Sequence, residues 1–202
     1  MTNRDSDTPV VLSRIYTRVG DDGTTALGDM SRTRKTDTRL AAYADVEEAN
    51  AAIGTALALG RDIPDHVRAV LGRVQNELFD LGADLSRPVA PAEEAAEYPP
   101  LRVEAAYIER LEADCDRYNA DLPTLRSFLL PGGTPAVALM HTARVVTRRA
   151  ERAAWAAVEE HGDTVNPLTA RYLNRLSDLL FVLCRVLAPA GTEVLWKPGG
   201  ER

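Results

Sequence analysis

The segment of residues 64–85 constrains the fold most, because its apolar side chains recur with a strictly helical spacing. Steps of four and three residues alternate along it, which places all of these side chains on one side of a helix. They are Val67, Leu71, Val74, Leu78, Leu81 and Leu85. A strand would need alternation with a period of two, so this stripe predicts a helix packed in a bundle.

Four further helices are predicted by the same reasoning, at residues 38–59, 101–120, 134–160 and 167–187. Thr134 suits an N-cap and Pro135 the first turn of the fourth helix. The fifth helix has its own apolar stripe of Leu173, Leu176, Leu180, Leu183 and Leu187. Strand patterns are scarce and aromatic residues make up only 5% of the chain. We therefore expect an all-α, five-helix bundle.

The domain organisation is predicted to be simple. The 202 residues suit one domain, residues 1–202, and contain no internal repeat or linker. Residues 1–14 are polar and predicted to be flexible. Residues 86–100 contain four prolines and three glutamates without periodicity, which indicates a surface loop.

Composition excludes several functional classes. A net charge of −6 argues against a protein that coats nucleic acid or an anionic membrane. No apolar run is long enough for a signal peptide or a membrane span. The two cysteines, Cys115 and Cys184, form no CxxC pair, which suits a reducing compartment and no zinc cluster. We expect a cytoplasmic protein.

The first segment with unusual chemistry is IYTRVGDDGTT, residues 15–25. Gly20 and Gly23 allow backbone conformations that could turn successive N–H groups toward an anion. Neighbouring hydroxyl and cationic side chains would add donors. An ordinary polar turn explains this segment alone at least as well. The candidate residues are Thr17, Arg18, Val19, Gly20, Asp21, Gly23, Thr24, Thr25 and Lys35.

The second such segment is the arginine-rich part of the fourth predicted helix. Helical spacing puts Arg144, Arg148, Glu151, Arg152 and Trp155 on one face, with only one acidic residue among them. Guanidinium groups bind two phosphate oxygens at once and so suit a triphosphate. A solvated surface with ion pairs along the helix is an equally good explanation.

The fifth predicted helix contains three polar residues within its apolar pattern, Asn174, Arg175 and Asp178. Buried polar groups need partners, so a hydrogen-bond network between helices explains Asp178 as well as ligand contact does. No histidine follows a glutamate at the spacing of di-iron bundles, and no nucleophile–base arrangement is evident. We assign no metal ligands from side chains. An enzyme with this sequence would depend on positioning and electrostatics.

These segments together resemble the PduO-type corrinoid adenosyltransferases. The similar blocks are IYTRVGDDGTT, Lys35, VQNELFDLGADL, SFLLPGGTP, RVVTRRAER and YLNRLSDLLF. They follow the family's order and cover most of the chain outside residues 86–100. The resemblance implies transfer of the 5′-deoxyadenosyl group of ATP to cob(I)alamin, giving adenosylcobalamin and triphosphate, with Mg²⁺ present.

The resemblance also implies a homotrimer with active sites between subunits. The N-terminal loop of one subunit and the fourth and fifth helices of its neighbour would bind ATP. Phe128 would lie against the lower face of the corrin, with Asp178 near the same pocket. ATP-contact positions by resemblance are Thr17, Arg18, Val19, Gly20, Thr25, Lys35, Arg148, Arg149, Glu151, Arg152 and Asn174.

The chain departs from the family pattern in AYADVEEANA, residues 42–51. Glu47 stands where the family has an aspartate that pairs across the subunit interface with the arginine at Arg144. A glutamate keeps the charge and is one methylene longer. A reductase and an adenosylcobalamin-dependent mutase are further partners that the resemblance implies.

Two other functions are compatible with parts of the sequence. A nucleotide-dependent phosphotransferase would use the same phosphate contacts but release ADP. A non-catalytic helical assembly or cofactor carrier would use the arginine face as an interface. The Gly-Asp-Thr loop favours a nucleotide enzyme over a scaffold.

Overall fold

The computed structural model describes residue 16 and residues 18–91, 93 and 98–200. Five α-helices account for most of this part of the chain, as the sequence predicts. They are α1 (Thr38–Leu59), α2 (Asp65–Ser86), α3 (Ala105–Asn119), α4 (Pro135–His161) and α5 (Leu168–Leu187). A short antiparallel hairpin of β1 (Thr24–Ala26) and β2 (Arg32–Arg34) precedes them.

The helices pack as a bundle in which α1 lies against α2 and α4, and α5 lies against α4, α3 and α2. The predicted stripe of α2 is buried along its whole length, from Val67 to Leu85. In α5 the stripe is buried from Leu173 to Leu183, while Leu187 at the helix end is half-buried. Burial of these two apolar stripes against neighbouring helices stabilises the bundle.

Two helix starts show which local predictions were sound. Thr134 caps α4 by accepting a hydrogen bond from the Val137 N–H, with Pro135 in the first turn, which confirms the prediction. Helix α3 begins later than predicted. Arg102 is held instead in an extended segment by Asp84 at 2.7 Å, and the Val103 N–H donates to the same carboxylate at 2.7 Å.

The hairpin is a feature that the sequence did not predict, since we expected a loop there. It is anchored at the end of the bundle where α1 begins and α2 and α4 end. The Gly28 N–H donates to the Ser86 carbonyl at 2.8 Å. Asp37, the N-cap of α1, is within 2.8 Å of His161 Nε2 at the end of α4.

Two predicted segments lie partly or wholly outside the described residues. Residues 1–14, which we predicted to be flexible, are outside them. Residues 86–100 are described in part: Ser86 ends α2, and Glu93 forms an ion pair with Arg102 at 2.8 Å. None of the described helices combines the length and apolar character needed to cross a membrane.

Candidate active site

A cavity of about 550 Å³ opens between α4, α5 and the segment that precedes α4. It brings together residues from three of the sequence blocks: Phe128, then Arg144 and Arg148, and Asp178. Apolar side chains and guanidinium groups thus line one cavity. Its remaining lining residues are Leu125, Ser127, Leu129, Ser177 and Phe181.

Phe128 is presented to solvent by a short strand-like pairing with the C-terminal segment. Leu129 forms an antiparallel bridge with Leu195, and the Trp196 N–H donates to the Phe128 carbonyl at 2.7 Å. The Ser127 hydroxyl donates to the Trp196 carbonyl at 2.8 Å. Although Phe128 is 77% exposed, its ring meets that of Trp196 edge-to-face, with 6.0 Å between centroids.

The C-terminal segment is in turn fixed by Arg185, whose side chain is only 5% exposed. Arg185 binds Glu193 at 3.0 Å and the Pro123 carbonyl at 2.7 Å, so it ties both sides of the pairing to α5. Trp196 and Arg185 were not predicted from the sequence. Their pairing with Phe128 joins distant parts of the chain and leaves no periodic pattern.

The arginines of α4 differ in what their side chains contact. Arg148 and Arg152 are exposed, and neither forms an ion pair with any residue that the structure describes. The Arg144 guanidinium lies over the Phe181 ring, 5.7 Å from its centroid. Arg149 points elsewhere: it pairs with Asp45 at 3.6 Å and with Glu48, both on α1. The structure therefore does not bring Arg149 into the cavity.

The polar residues of α5 are paired, but at the surface rather than in the core. Asn174 donates to Glu151 of α4 at 2.8 Å, beside a groove of about 420 Å³ that Trp155 also lines. Asp178 accepts a hydrogen bond from Arg175 at 2.6 Å. Arg175 also binds Glu112 of α3 at 3.1 Å, so a network between helices is present. Both Asn174 and Asp178 are exposed, so this network lies at the surface and not in the core.

The loop before the hairpin brings Lys35 onto Gly20. A side-chain carbon added at Gly20 would lie 3.1 Å from the Lys35 Nζ and 2.9 Å from the Thr24 carbonyl, so only glycine fits. The expected cluster of inward N–H groups is largely occupied. Gly23 donates to the Gly20 carbonyl and Thr24 to Asp22. Cations near this loop include Lys35, which follows β2, and exposed Arg18 within the loop. Thr17 lies outside the described residues.

Within one chain, the hairpin and the arginines of α4 are far apart. The hairpin is anchored near His161, and Arg148 lies thirteen residues earlier on the same helix. At 1.5 Å per residue, this separation is about 20 Å along α4. One chain therefore does not place Lys35 beside Arg148.

The cysteines offer no nucleophile. Burial raises the pKa of Cys115 to about 11 and that of Cys184 to about 12, so both are protonated thiols near neutral pH. Burial, together with the positive charge of Arg144, lowers the pKa of His141 and keeps that ring neutral. Neither the cysteines nor His141 line the cavity of Phe128, whose described lining combines guanidinium groups, apolar side chains and a carboxylate.

A family model for cobalamin adenosyltransferase matches residues 15–187 of this chain. The chain belongs to the cobalamin adenosyltransferase family. It is 62% identical to a corrinoid adenosyltransferase of Mycobacterium tuberculosis over 194 residues, which is 96% of this chain and 97% of the relative. It is 38% identical to a corrinoid adenosyltransferase of Bacillus subtilis, over 86% of each chain. The resemblance identified from the sequence is confirmed.

Solved structures of cobalamin adenosyltransferases share the fold. One is a variant of the PduO-type ATP:corrinoid adenosyltransferase from Lactobacillus reuteri complexed with cobalamin and ATP. It matches with a TM-score of 0.73 and 31% identity, over 91% of this chain and 99% of that one. A second variant of that protein, complexed with ATP, matches with a TM-score of 0.73 and 30% identity, over 91% and 100% of the two chains.

Proposed function

We propose that this chain transfers the 5′-deoxyadenosyl group of ATP to cob(I)alamin, releasing triphosphate. The observation that carries the proposal is the cavity that joins exposed Phe128 to Arg144 and Arg148. A flat apolar ring suits the face of a corrin, and the exposed guanidinium group of Arg148 suits a polyphosphate. The Lactobacillus reuteri relative described above is complexed with these two ligands.

The site is proposed to form between subunits of a homotrimer. In one chain, Arg148 lies about 20 Å along α4 from His161, where the start of α1 and the hairpin are anchored. We therefore propose that a neighbouring subunit supplies either Lys35 or Arg148 if both contact ATP. Arg144 forms no ion pair with any described residue, and its Nε is buried without a hydrogen-bond partner. Glu47 is exposed on α1. A pair between Glu47 of one subunit and Arg144 of the next would satisfy both groups.

In the proposed reaction, the side chains act on the leaving group. Cob(I)alamin is itself the nucleophile, which agrees with the lack of an activated one among the described side chains. Attack on the 5′ carbon forms the cobalt–carbon bond and breaks the carbon–oxygen bond to triphosphate. Lys35, Arg148 and Arg152 stabilise the negative charge that grows on that oxygen, and the bound geometry holds the two reactants in line.

Phe128 is proposed to act on the cobalt side. An apolar ring held against the lower corrin face would exclude water and the lower axial ligand. Cob(II)alamin without axial ligands is easier to reduce to the nucleophilic form. Asp178, which lines the same cavity and is paired with Arg175, is proposed to contact the corrin periphery.

The ATP contacts inferred from the sequence remain a proposal. We make the proposed roles of Glu151, Asn174 and Arg149 more specific. Glu151 and Asn174, which are hydrogen-bonded to each other, are proposed to bind the nucleoside end of ATP. Arg149, engaged with α1, is proposed to support the helix rather than contact phosphate. No three His, Cys, Asp or Glu side chains converge among the described residues. We therefore assign Mg²⁺ no protein ligands and expect the phosphates of ATP to carry it.

The decisive experiment is an anaerobic incubation of the protein with ATP, Mg²⁺ and chemically reduced cobalamin. We expect the absorption spectrum of the cobalt–carbon product, with one triphosphate released per product. Release of ADP instead would indicate a phosphotransferase. Tight binding of both ligands without turnover would indicate a carrier.

In the cell, we propose a cytoplasmic reaction with two protein partners. A reductase would supply the electron that forms cob(I)alamin, and an adenosylcobalamin-dependent mutase would receive the product. Both follow from the chemistry of the substrate and product: one must be generated by reduction, and the other is a reactive cofactor.

A further inference from the structure

The carboxylate of Asp37 connects three elements of the fold. As the N-cap of α1, it accepts a hydrogen bond from the Arg39 N–H at 2.8 Å. The hydroxyl of Thr33, on β2, donates to it at 2.7 Å. His161 Nε2, at the end of α4, lies 2.8 Å from it. Because an ionised carboxylate only accepts hydrogen bonds, Nε2 is the donor. One carboxylate therefore links the hairpin and the start of α1 to the end of α4.

Lys35 lies in the middle of the segment that this carboxylate holds at both ends. It is two residues after Thr33 and two residues before Asp37. Its own N–H donates to the Gly23 carbonyl at 2.9 Å, and its side chain lies against Gly20. The position of Lys35, and of the glycine-containing loop that it contacts, therefore depends on the partners of Asp37.

The end of α4 is fixed without the help of the His161 side chain. Arg39 is only 2% exposed, and its guanidinium group donates to the Thr164 carbonyl at 3.0 Å and to the Thr164 hydroxyl at 2.9 Å. It also donates to the Leu85 carbonyl at 3.0 Å. The Thr164 hydroxyl in turn donates to the His161 carbonyl at 3.0 Å. A change of the His161 side chain should therefore release the hairpin and keep the helix end in place.

We propose that His161 is a positioning residue for ATP, acting through Asp37 on Lys35. The inference rests on the proposed function. In the proposed trimer, Lys35 must meet the guanidinium groups of a neighbouring subunit across the triphosphate. A cation held in place before ATP binds loses less conformational entropy on binding than a mobile one, so the bond from His161 strengthens ATP binding.

The first test is kinetic and uses variants of the full chain, with thermal unfolding measured on each. His161→Leu removes the donor and should raise KM for ATP about fivefold. KM for cob(I)alamin should stay unchanged, because no hairpin residue lines the cavity of Phe128 in the described chain. His161→Gln, which keeps an N–H donor, should restore most of the ATP affinity. A wild-type KM for ATP in His161→Leu, or an equal rise for both substrates, would overturn the positioning role.

His66→Leu is the matched control for these variants. His66 is exposed at the start of α2, whereas the hairpin is anchored at Ser86, where α2 ends. At 1.5 Å per residue, the two positions are about 30 Å apart along the helix. His66→Leu should therefore change neither KM.

The second test asks whether His161 acts through Lys35. Calorimetry gives the Kd of ATP with Mg²⁺ for the wild type, for Lys35→Ala, for His161→Leu and for the double variant. Lys35→Ala should weaken binding, and adding His161→Leu to it should cost little more. An undiminished further loss would contradict the proposal.

The same measurements separate this inference from the proposed function. A protein that binds ATP but forms no adenosylcobalamin would refute the proposed function, and the four Kd values would still decide the role of His161. A wild-type protein that binds no ATP would refute both.

Discussion

Removing the ring of Trp196 should slow the reaction while leaving ATP binding intact. Phe128 is 77% exposed, and the edge-to-face contact with Trp196 is the ring contact that holds it. Such contacts are worth about 0.5–1.5 kcal/mol beyond their buried area. The backbone bonds of the pairing survive in Trp196→Ala, so the strand stays while the Phe128 ring becomes free to rotate. If that energy is lost from the transition state, kcat falls about two- to twelvefold.

The assay is the rate of adenosylcobalamin formation at saturating ATP, with KM for ATP and thermal unfolding measured on each variant. Trp196→Phe should restore most of the rate, and Val194→Ala, in the same segment, is the control and should not change it. Phe128→Ala should lower kcat further, and adding Trp196→Ala to it should then cost little. Wild-type turnover in Trp196→Ala, or no rescue by phenylalanine, would refute the positioning role.

Three further predictions test other parts of the account. Arg148→Ala should lose a charge-assisted contact of about 1.5–3 kcal/mol, at least about tenfold in kcat/KM for ATP; an unchanged value would remove Arg148 from the site. Glu47→Gln should weaken the trimer or its activity, measured by size-exclusion chromatography and assay; a wild-type trimer with full activity would contradict the proposed pair. Burial opposes ionisation of Asp37, but hydrogen bonds from Thr33, a backbone N–H and His161 outweigh it and lower its pKa. The stability that Asp37 contributes is therefore complete above its ordinary pKa of 3.8 and lost as pH falls through the lowered value. Thermal unfolding from about pH 6 to about pH 3 should decline more steeply in the wild type than in Asp37→Asn; parallel profiles would contradict this linkage.

The fold was predictable where local spacing determines it. The stripe of α2 needs only helical periodicity and burial, and the start of α4 needs only the cap at Thr134. The start of α3 was not predictable in the same way. Asp84 on α2 binds the extended segment at Arg102 and Val103 through tertiary contacts that a local pattern does not reveal. The strands of the hairpin are three residues each, too short for a pattern of alternation.

The parts of the candidate site whose residues lie within short sequence blocks were predictable. The guanidinium groups of α4 and the exposed ring of Phe128 share a cavity, as the blocks suggested. The ring contact between Trp196 and Phe128 was not predictable, because the two residues are distant in the sequence. The direction of Arg149 depends on where α1 packs, and its partners Asp45 and Glu48 belong to that helix.

Two impaired variants, combined, test most directly whether each site needs two subunits. Lys35→Ala would disable the loop side, and Arg148→Ala the helix side. When both chains are co-expressed and assemble at random, about a quarter of the sites in a trimer pair an intact loop with an intact neighbouring helix. The account predicts recovery of about a quarter of wild-type activity. Activity no higher than that of the two variants measured separately would contradict it.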